Sequence, residues 1–126
     1  MIDENNISPI QSDFERIKKQ DENGSEYWTS RDLCNALGYS TYQKFNRILS
    51  KAIAIANRKG CNTTEHFNPT VEMVKLSSGS FRKVENIHLS RIACLMIAEN
   101  ADGKKPQVQM AGEYFKQEIS TPELIG

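Results

Sequence analysis

The sequence predicts an α+β fold in which about five helices pack against a small antiparallel sheet. Apolar residues recur at three- and four-residue spacing in several stretches, which is typical of amphipathic helices. Two apolar, β-branched-rich runs flank a polar turn and predict a β-hairpin over 71–89, and a short strand near 26–28 would complete the sheet. We expect a disordered segment at 1–7, a single domain over 8–119 and a tail at 120–126.

In the first half of the chain, individual turn and capping residues indicate where helices begin and end. Pro9 predicts the start of a helix running to about residue 19, and the Asn-Gly pair at 23–24 predicts a tight turn before the first strand. Thr29 or Ser30 then suits the N-cap of a short helix.

Gly38 would end that short helix, because glycine tolerates the left-handed conformation that follows many helices. Ser40 is the expected N-cap of the longest helix, over about 41–58. Residues 61–69 are expected to form a loop.

Two more helices are predicted after the hairpin. Ser90 would cap a helix that is apolar nearly all round, which is typical of a central core element. Pro106 would open the last helix, whose inward-facing residues would be Val108, Ala111, Tyr114 and Phe115.

Composition limits the classes of function. Sixteen basic and sixteen acidic residues cancel, which argues against a protein that coats nucleic acid by bulk charge. No apolar run reaches the roughly 18 residues of a membrane span, so no membrane partner is expected. Three cysteines and no secretory signal favour free thiols in the cytoplasm.

The distribution of charge along the chain is uneven. Residues 1–32 contain eight acidic and four basic side chains, whereas residues 33–64 contain five basic side chains and no acidic one. A neutral chain can therefore present a positive face to an anionic partner.

Basic residues of the long helix are the main candidates for nucleic-acid contact. At about 100° per residue, four of them fall within one arc of about 60° beside the apolar stripe. They are Lys44, Arg47, Lys51 and Arg58. Three further basic residues, Lys75, Arg82 and Lys83, lie near the tip of the hairpin. All seven could contact phosphate, although a solvated basic face is the alternative.

Other side chains near the long helix could read or stack bases. Gln43 and Asn46, together with Arg47, have the functional groups that recognise base edges. Tyr39 and Tyr42 could stack unpaired bases, as could the pair at 27–28, although core or rim packing is the commoner role of such aromatics.

The order of two helices followed by a hairpin is similar to a helix-turn-helix with a wing. The strict register does not fit, because Lys44 and Arg47 fall where the second helix should be buried.

Catalytic, cofactor and metal sites are not predicted. The chain has no glycine-rich phosphate loop, nucleophile elbow or paired-carboxylate motif. Cys61, His66, His88 and Cys94 are suitable residue types for zinc, but Cys94 falls in the most apolar helix, where a buried thiol is the simpler reading.

Several segments in a fixed order resemble a known family. YWTSRDL at 27–33 with ALGY at 36–39 is similar to the opening motif of BRO-N domains, and HLSRIAC at 88–94 with NAD at 100–102 to their second half. Four further segments make the match specific to one family: FERIK at 14–18, EHF at 65–67, VEMV at 71–74 and YF at 114–115. Over 14–117 the chain resembles the N-terminal part of the DNA-damage-inducible protein D (DinD) family.

The resemblance implies a bacterial, cytoplasmic protein of the SOS response, with no catalytic residues. Family members are associated with modulating the recombinase (RecA) filament on single-stranded DNA, and they continue into a second region after this point. The expected partners are DNA, including single-stranded DNA, or the recombinase filament. A homodimer formed through the last helix is a further possible arrangement. The alternative function is a prophage antirepressor type of protein-interaction module that does not contact DNA.

Overall fold

The computed structural model describes residues 9–119, with side-chain burial given for 13–117. Its six helices, α1–α6, comprise Pro9–Arg16, Ser30–Ala36, Tyr42–Arg58, Thr63–His66, Arg91–Asn100 and Pro106–Ile119. Its four strands, β1–β4, comprise Lys19–Gln20, Glu26–Thr29, Phe67–Lys75 and Phe81–Leu89. The predicted α+β class is confirmed, while the predictions for 1–7 and 120–126 lie outside the described residues.

The strands form one antiparallel sheet in the order β1-β2-β4-β3. β3 and β4 pair along their whole length, but β2 pairs with β4 only through Trp28–Leu89 and Thr29–His88. The rest of the β3–β4 hairpin therefore has two strands only, and every residue from 71 to 83 is exposed. We call residues 71–84 the ribbon.

The first predicted helix is too long. α1 ends at Arg16 because the chain then pairs as a strand, with Lys19 opposite Tyr27. The predicted turn at 23–24 joins these strands: Gly24 has a φ of 83°, and its N–H donates to the carbonyl of Asp21 over 3.0 Å.

Side-chain caps fix the helix starts. The Thr29 hydroxyl accepts from the N–H of Asp32 at the start of α2, as predicted. The cap of α3 is Thr41 and not Ser40, because the Thr41 hydroxyl accepts from the N–H of Lys44 over 3.2 Å. Ser90 caps α5 as predicted.

Residues 61–69 are not a loop. The Asn62 side chain accepts from the N–H of Glu65 and caps the short helix α4. β3 then begins at Phe67, whose side chain is buried in the core.

Four aromatic rings join the N-terminal and C-terminal elements. The rings of Trp28 and Phe115 lie 5.0 Å apart, and those of Phe14 and Phe115 5.5 Å apart. Trp28 Nε1 also donates to the carbonyl of Phe14 over 2.8 Å. The predicted inward face of α6, including Tyr114, is buried and completes this cluster.

Helix α5 is a core element on one side only. Ala93, Cys94 and Ile97 are fully buried, but Ile92 is 40% exposed and Leu95 is partly buried. The prediction of a fully enclosed core helix is therefore wrong for one side of α5. In the described part of the chain, no element packs over that side.

Arg91 is a buried cation at the start of α5. Its Nε and Nη2 donate to the carboxylate of Glu26 on β2, over 2.7 and 3.0 Å, and its Nη1 donates to the carbonyl of Tyr114 on α6. Its guanidinium also lies 5.1 Å from the ring centroid of Trp28. One side chain thus links three elements. The Tyr114 hydroxyl donates to Glu15, and burial, followed by this bond, raises the pKa of Tyr114.

Replacing Ile97 by Ala should lower the free energy of unfolding by about 2–5 kcal/mol, because the truncation leaves a cavity in the core. The matched change Ile92→Ala, at a 40% exposed position on the same helix, should cost much less. Urea denaturation of both variants measures the difference. Equal costs would contradict the placement of α5.

Replacing Glu26 by Gln should lower the free energy of unfolding by roughly 1.5–3 kcal/mol, because Arg91 loses its charged hydrogen-bond partner. Glu22→Gln, an exposed position in the neighbouring turn, is the control and should change stability little. Thermal unfolding followed by circular dichroism measures both. A loss as small as that of the control would show that Arg91 does not need this carboxylate.

Candidate nucleic-acid interface

Helix α3 presents a row of basic side chains to solvent. Its core face consists of Phe45, Leu49, Ala52 and Ala56, all buried. On the exposed side, within one arc of about 60°, lie the four residues that we call the basic stripe: Lys44, Arg47, Lys51 and Arg58. α3 contains no acidic residue. The exposure of Lys44 beside buried Phe45 confirms the predicted departure from the strict helix-turn-helix register.

The charges of the basic stripe are not neutralised within the domain. Among the side chains of residues 13–117, none of these four cations forms a salt bridge. The salt bridges of other basic residues involve Arg16, Lys18, Lys19, His66 and Arg91. An anion that approaches α3 therefore meets four cations and no competing carboxylate on the helix itself.

The two predicted base-reading residues are also exposed on α3. Gln43 and Asn46 lie in the same turns as Lys44 and Arg47, so they are accessible beside the stripe. Base contact by these side chains stays a prediction.

The predicted basic cluster at the hairpin tip is divided between two faces. In the strand register Lys75 lies opposite Phe81 and Met73 opposite Lys83, which places both lysines on one face. Arg82 pairs with Val74 on the other face. The cluster therefore cannot act as one patch, because alternate residues of a strand point in opposite directions.

The predicted stacking tyrosines at 27, 39 and 42 all have partners within the domain. The Tyr39 hydroxyl accepts from the N–H of Asp102, and the Lys105 ammonium lies 5.1 Å from the ring centroid. The Arg31 guanidinium lies 4.2 Å from the ring centroid of Tyr42. Base stacking on these rings stays a prediction. Stacking on Trp28 is wrong, since that ring is fully buried.

A buried serine holds the start of α3 against the hairpin. Ser30 Oγ donates to Asn86 Oδ1 over 2.9 Å and accepts from the N–H of Ile87 over 3.1 Å. The single hydroxyl proton of Ser30 is then used, so the Tyr42 hydroxyl, 2.8 Å away, must be the donor to Ser30. Helices α2 and α3 and strand β4 meet at this oxygen, and we call this contact around Ser30 the junction.

Arg31 strengthens the same junction. Its Nε donates to the carbonyl of Glu85 on β4 over 2.8 Å, while its guanidinium covers Tyr42 on α3. The first turn of α3 is thereby fixed beside the base of the ribbon.

An open groove of about 420 Å³ separates these two elements. Tyr42 and Asn46 line it from α3, while Thr70, Val71 and Glu85 line it from the hairpin. The groove therefore lies between the base of the ribbon and the first turn of α3.

The candidate zinc ligands have other roles in the structure. Burial raises the pKa of the Cys94 thiol well above its usual range, and His66 Nδ1 lies 2.7 Å from Ser90 Oγ. His88 stacks on Tyr27 with ring centroids 4.2 Å apart. Within the described residues, no three potential metal ligands are grouped together. All three cysteines are free thiols. In residues 9–119 no helix has the length and apolar character needed to cross a membrane.

Comparison with known proteins identifies a relative along most of the chain. DNA damage-inducible protein D of Escherichia coli (strain K12) is 36% identical over 111 residues, which cover 88% of this chain and 40% of that protein. The chain belongs to the DNA damage-inducible protein D family. No family model and no solved structure matches it.

The family match concerns only part of the relative. The chain spans about two-fifths of the length of that protein. The more distant similarity to BRO-N domains stays a prediction.

The junction and the buried arginine were not predicted as structural features. Both nevertheless lie in the motifs that carry the family resemblance, with Ser30 and Arg31 at 27–33 and Arg91 at 88–94. Polar residues next to the apolar positions of these motifs are a signal for buried hydrogen-bonded groups, because an unpaired buried polar atom is costly.

Replacing Asn86 by Ala should lower the free energy of unfolding by about 1–3 kcal/mol, because Ser30 and the N–H of Arg31 lose their acceptor. Asn46→Ala, the same change at an exposed position of α3, should leave stability within about 0.5 kcal/mol. Chemical denaturation compares them. Equal stability of the two variants would contradict the role of Asn86 as the acceptor in this junction.

Proposed function

We propose that this domain is a non-enzymatic accessory of the DNA-damage response that binds nucleic acid, or a nucleic-acid-bound recombinase filament, through the basic stripe. The observation that carries the proposal is the arrangement of Lys44, Arg47, Lys51 and Arg58, exposed on one arc and without salt bridges among the described side chains. Lys75 and Lys83, which share one face of the hairpin, would add contacts at the side, whereas Arg82 lies on the opposite face.

Phosphate contact accounts for the chemistry of this surface. Each neutralised phosphate releases counterions and adds roughly 0.7 (single strands) to 0.9 (duplex) to the slope of log affinity against log salt. Four contacts would give a slope of about 3 to 4. The balanced net charge predicts that binding depends on this local surface and not on the charge of the whole molecule.

Family membership supports the biological setting of the proposal. The relative is named for its induction by DNA damage, and we propose the same response and a cytoplasmic location for this chain. The recombinase filament is a suitable partner class, because it presents single-stranded DNA together with protein.

A second candidate function is a protein-interaction module that does not contact DNA. Its support is the exposed apolar surface of the ribbon, where Val71, Met73 and Phe81 are each about 60% exposed: 62%, 59% and 60%. A mainly apolar interface would respond little to salt, so salt dependence separates the two functions.

Fluorescence anisotropy with labelled single- and double-stranded DNA, over a series of salt concentrations, tests the proposal. The stripe variant carries Ala at Lys44, Arg47, Lys51 and Arg58. We expect it to lose roughly tenfold or more in affinity at low salt, with a slope reduced by about 3. Alanine preserves the helix, because it has the highest helix propensity.

A control variant removes the same charge from other elements. It carries Ala at the exposed residues Arg16, Lys19, Lys104 and Lys116. We expect its affinity to stay within about threefold of the unmodified chain. Equal losses in the two variants would show that only bulk charge matters. No binding at low salt would exclude DNA contact and leave the protein-interaction module.

A further inference from the structure

Near the tip of the ribbon, one face combines an exposed aromatic ring with two cations. Phe81 is 60% exposed and lies directly opposite Lys75, while Lys83 is two residues further along the same face. Met73, which is 59% exposed, pairs with Lys83 and extends the apolar surface.

Phe81 has no ring partner. Among the described residues, its ring takes part in no aromatic or cation–π contact, in contrast to Tyr27, Tyr39 and Tyr42. Neither Lys75 nor Lys83 forms a salt bridge with another described side chain. Exposed apolar patches with polar rims mark binding sites in many soluble proteins.

The charges select the kind of partner. On the face that carries Phe81, the cations Lys75 and Lys83 lie nearest the ring, whereas the carboxylate of that face, Glu85, lies opposite Val71 at the base. A partner must therefore offer a flat apolar surface with negative charge on either side. An unpaired nucleobase between two phosphates has this form, whereas a duplex hides its base faces in the stack.

A second copy of the chain fits this face less well. Two such faces packed together would bring Lys75 and Lys83 of one copy against those of the other. Like charges across a small interface are destabilising, and the carboxylate on this face, Glu85, lies toward the base of the hairpin and not beside Phe81.

We propose that Phe81, flanked by Lys75 and Lys83, is a stacking platform for an unpaired base of single-stranded nucleic acid. This inference rests on the proposed function and gives it a preference for single strands. The strand would run from the ribbon past the groove beside Tyr42 and Asn46 to the basic stripe on α3. Glu85 lies at the base of the ribbon, where its carboxylate would keep phosphates on the outer side of the groove.

The test compares Phe81→Leu with the unmodified chain, using an oligothymidine strand and a duplex of equal length. Loss of one base stack should weaken single-strand binding roughly 5- to 150-fold. Duplex binding should change less than about twofold, because it relies on phosphate contacts. The position is exposed, so the variant should fold, and circular dichroism checks this.

Phe81→Trp provides a direct signal. Trp28 is fully buried, so a change in tryptophan fluorescence on adding the strand reports on position 81. We expect quenching together with full affinity. Absence of quenching at saturating strand concentration would overturn the platform.

Two single variants test the face itself. Lys83→Ala, on the face of Phe81, should reduce the salt slope by about 0.7, and Arg82→Ala, on the opposite face, should reduce it less. Equal effects would contradict the assignment of one face.

The outcomes for the two proposals are separable. If the stripe variant loses binding while Phe81→Leu binds single strands normally, the platform is wrong and the proposed function stands. If Phe81→Leu changes the sedimentation of the free chain but not strand binding, the face is a contact between copies. If the unmodified chain binds no DNA, the platform fails and so does direct DNA contact by the stripe, while binding to the recombinase filament is then tested separately with the stripe variant as control.

Discussion

The position of the candidate interface depends on one buried hydroxyl group. Ser30 Oγ bonds to Asn86, to the N–H of Ile87 and to Tyr42, so the consecutive helices α2 and α3 share a single oxygen with the distant strand β4. Without it, the link between the first turn of α3 and the hairpin would rest on Arg31. Hydrogen bonds to one oxygen atom require all of its partners to stay within hydrogen-bond distance of it. These elements therefore have little freedom to shift against each other.

Local signals in the sequence were sufficient for most of the fold. Turn and capping residues act over a few neighbours, so Gly24, Ser90 and Pro106 marked their elements correctly. The errors arose where tertiary contacts decided the outcome. α1 ends early because the chain pairs with β2, and residues 61–69 become helix and strand because Phe67 is needed in the core.

The candidate site was only partly accessible to sequence reasoning. Helical periodicity placed the basic stripe on one arc of α3, and the structure keeps all four side chains exposed. The faces of the ribbon require the strand register, which depends on where the hairpin turns. For that reason the separation of Arg82 from Lys75 and Lys83 was not predicted. The isolation of Phe81 from other rings is a tertiary property and was equally inaccessible.

The order of strands has a consequence for self-association. β3 is the outer strand of the sheet, so along it the outward N–H and C=O groups have no strand partner within the described part of the chain. Such an edge can recruit another molecule by strand addition and start aggregation. Pro69 removes one donor from this edge, while Glu72 and Lys75 place charges among the apolar residues of the strand. Proline and charged side chains at such positions oppose strand addition, so they lower the aggregation risk that an exposed apolar edge carries.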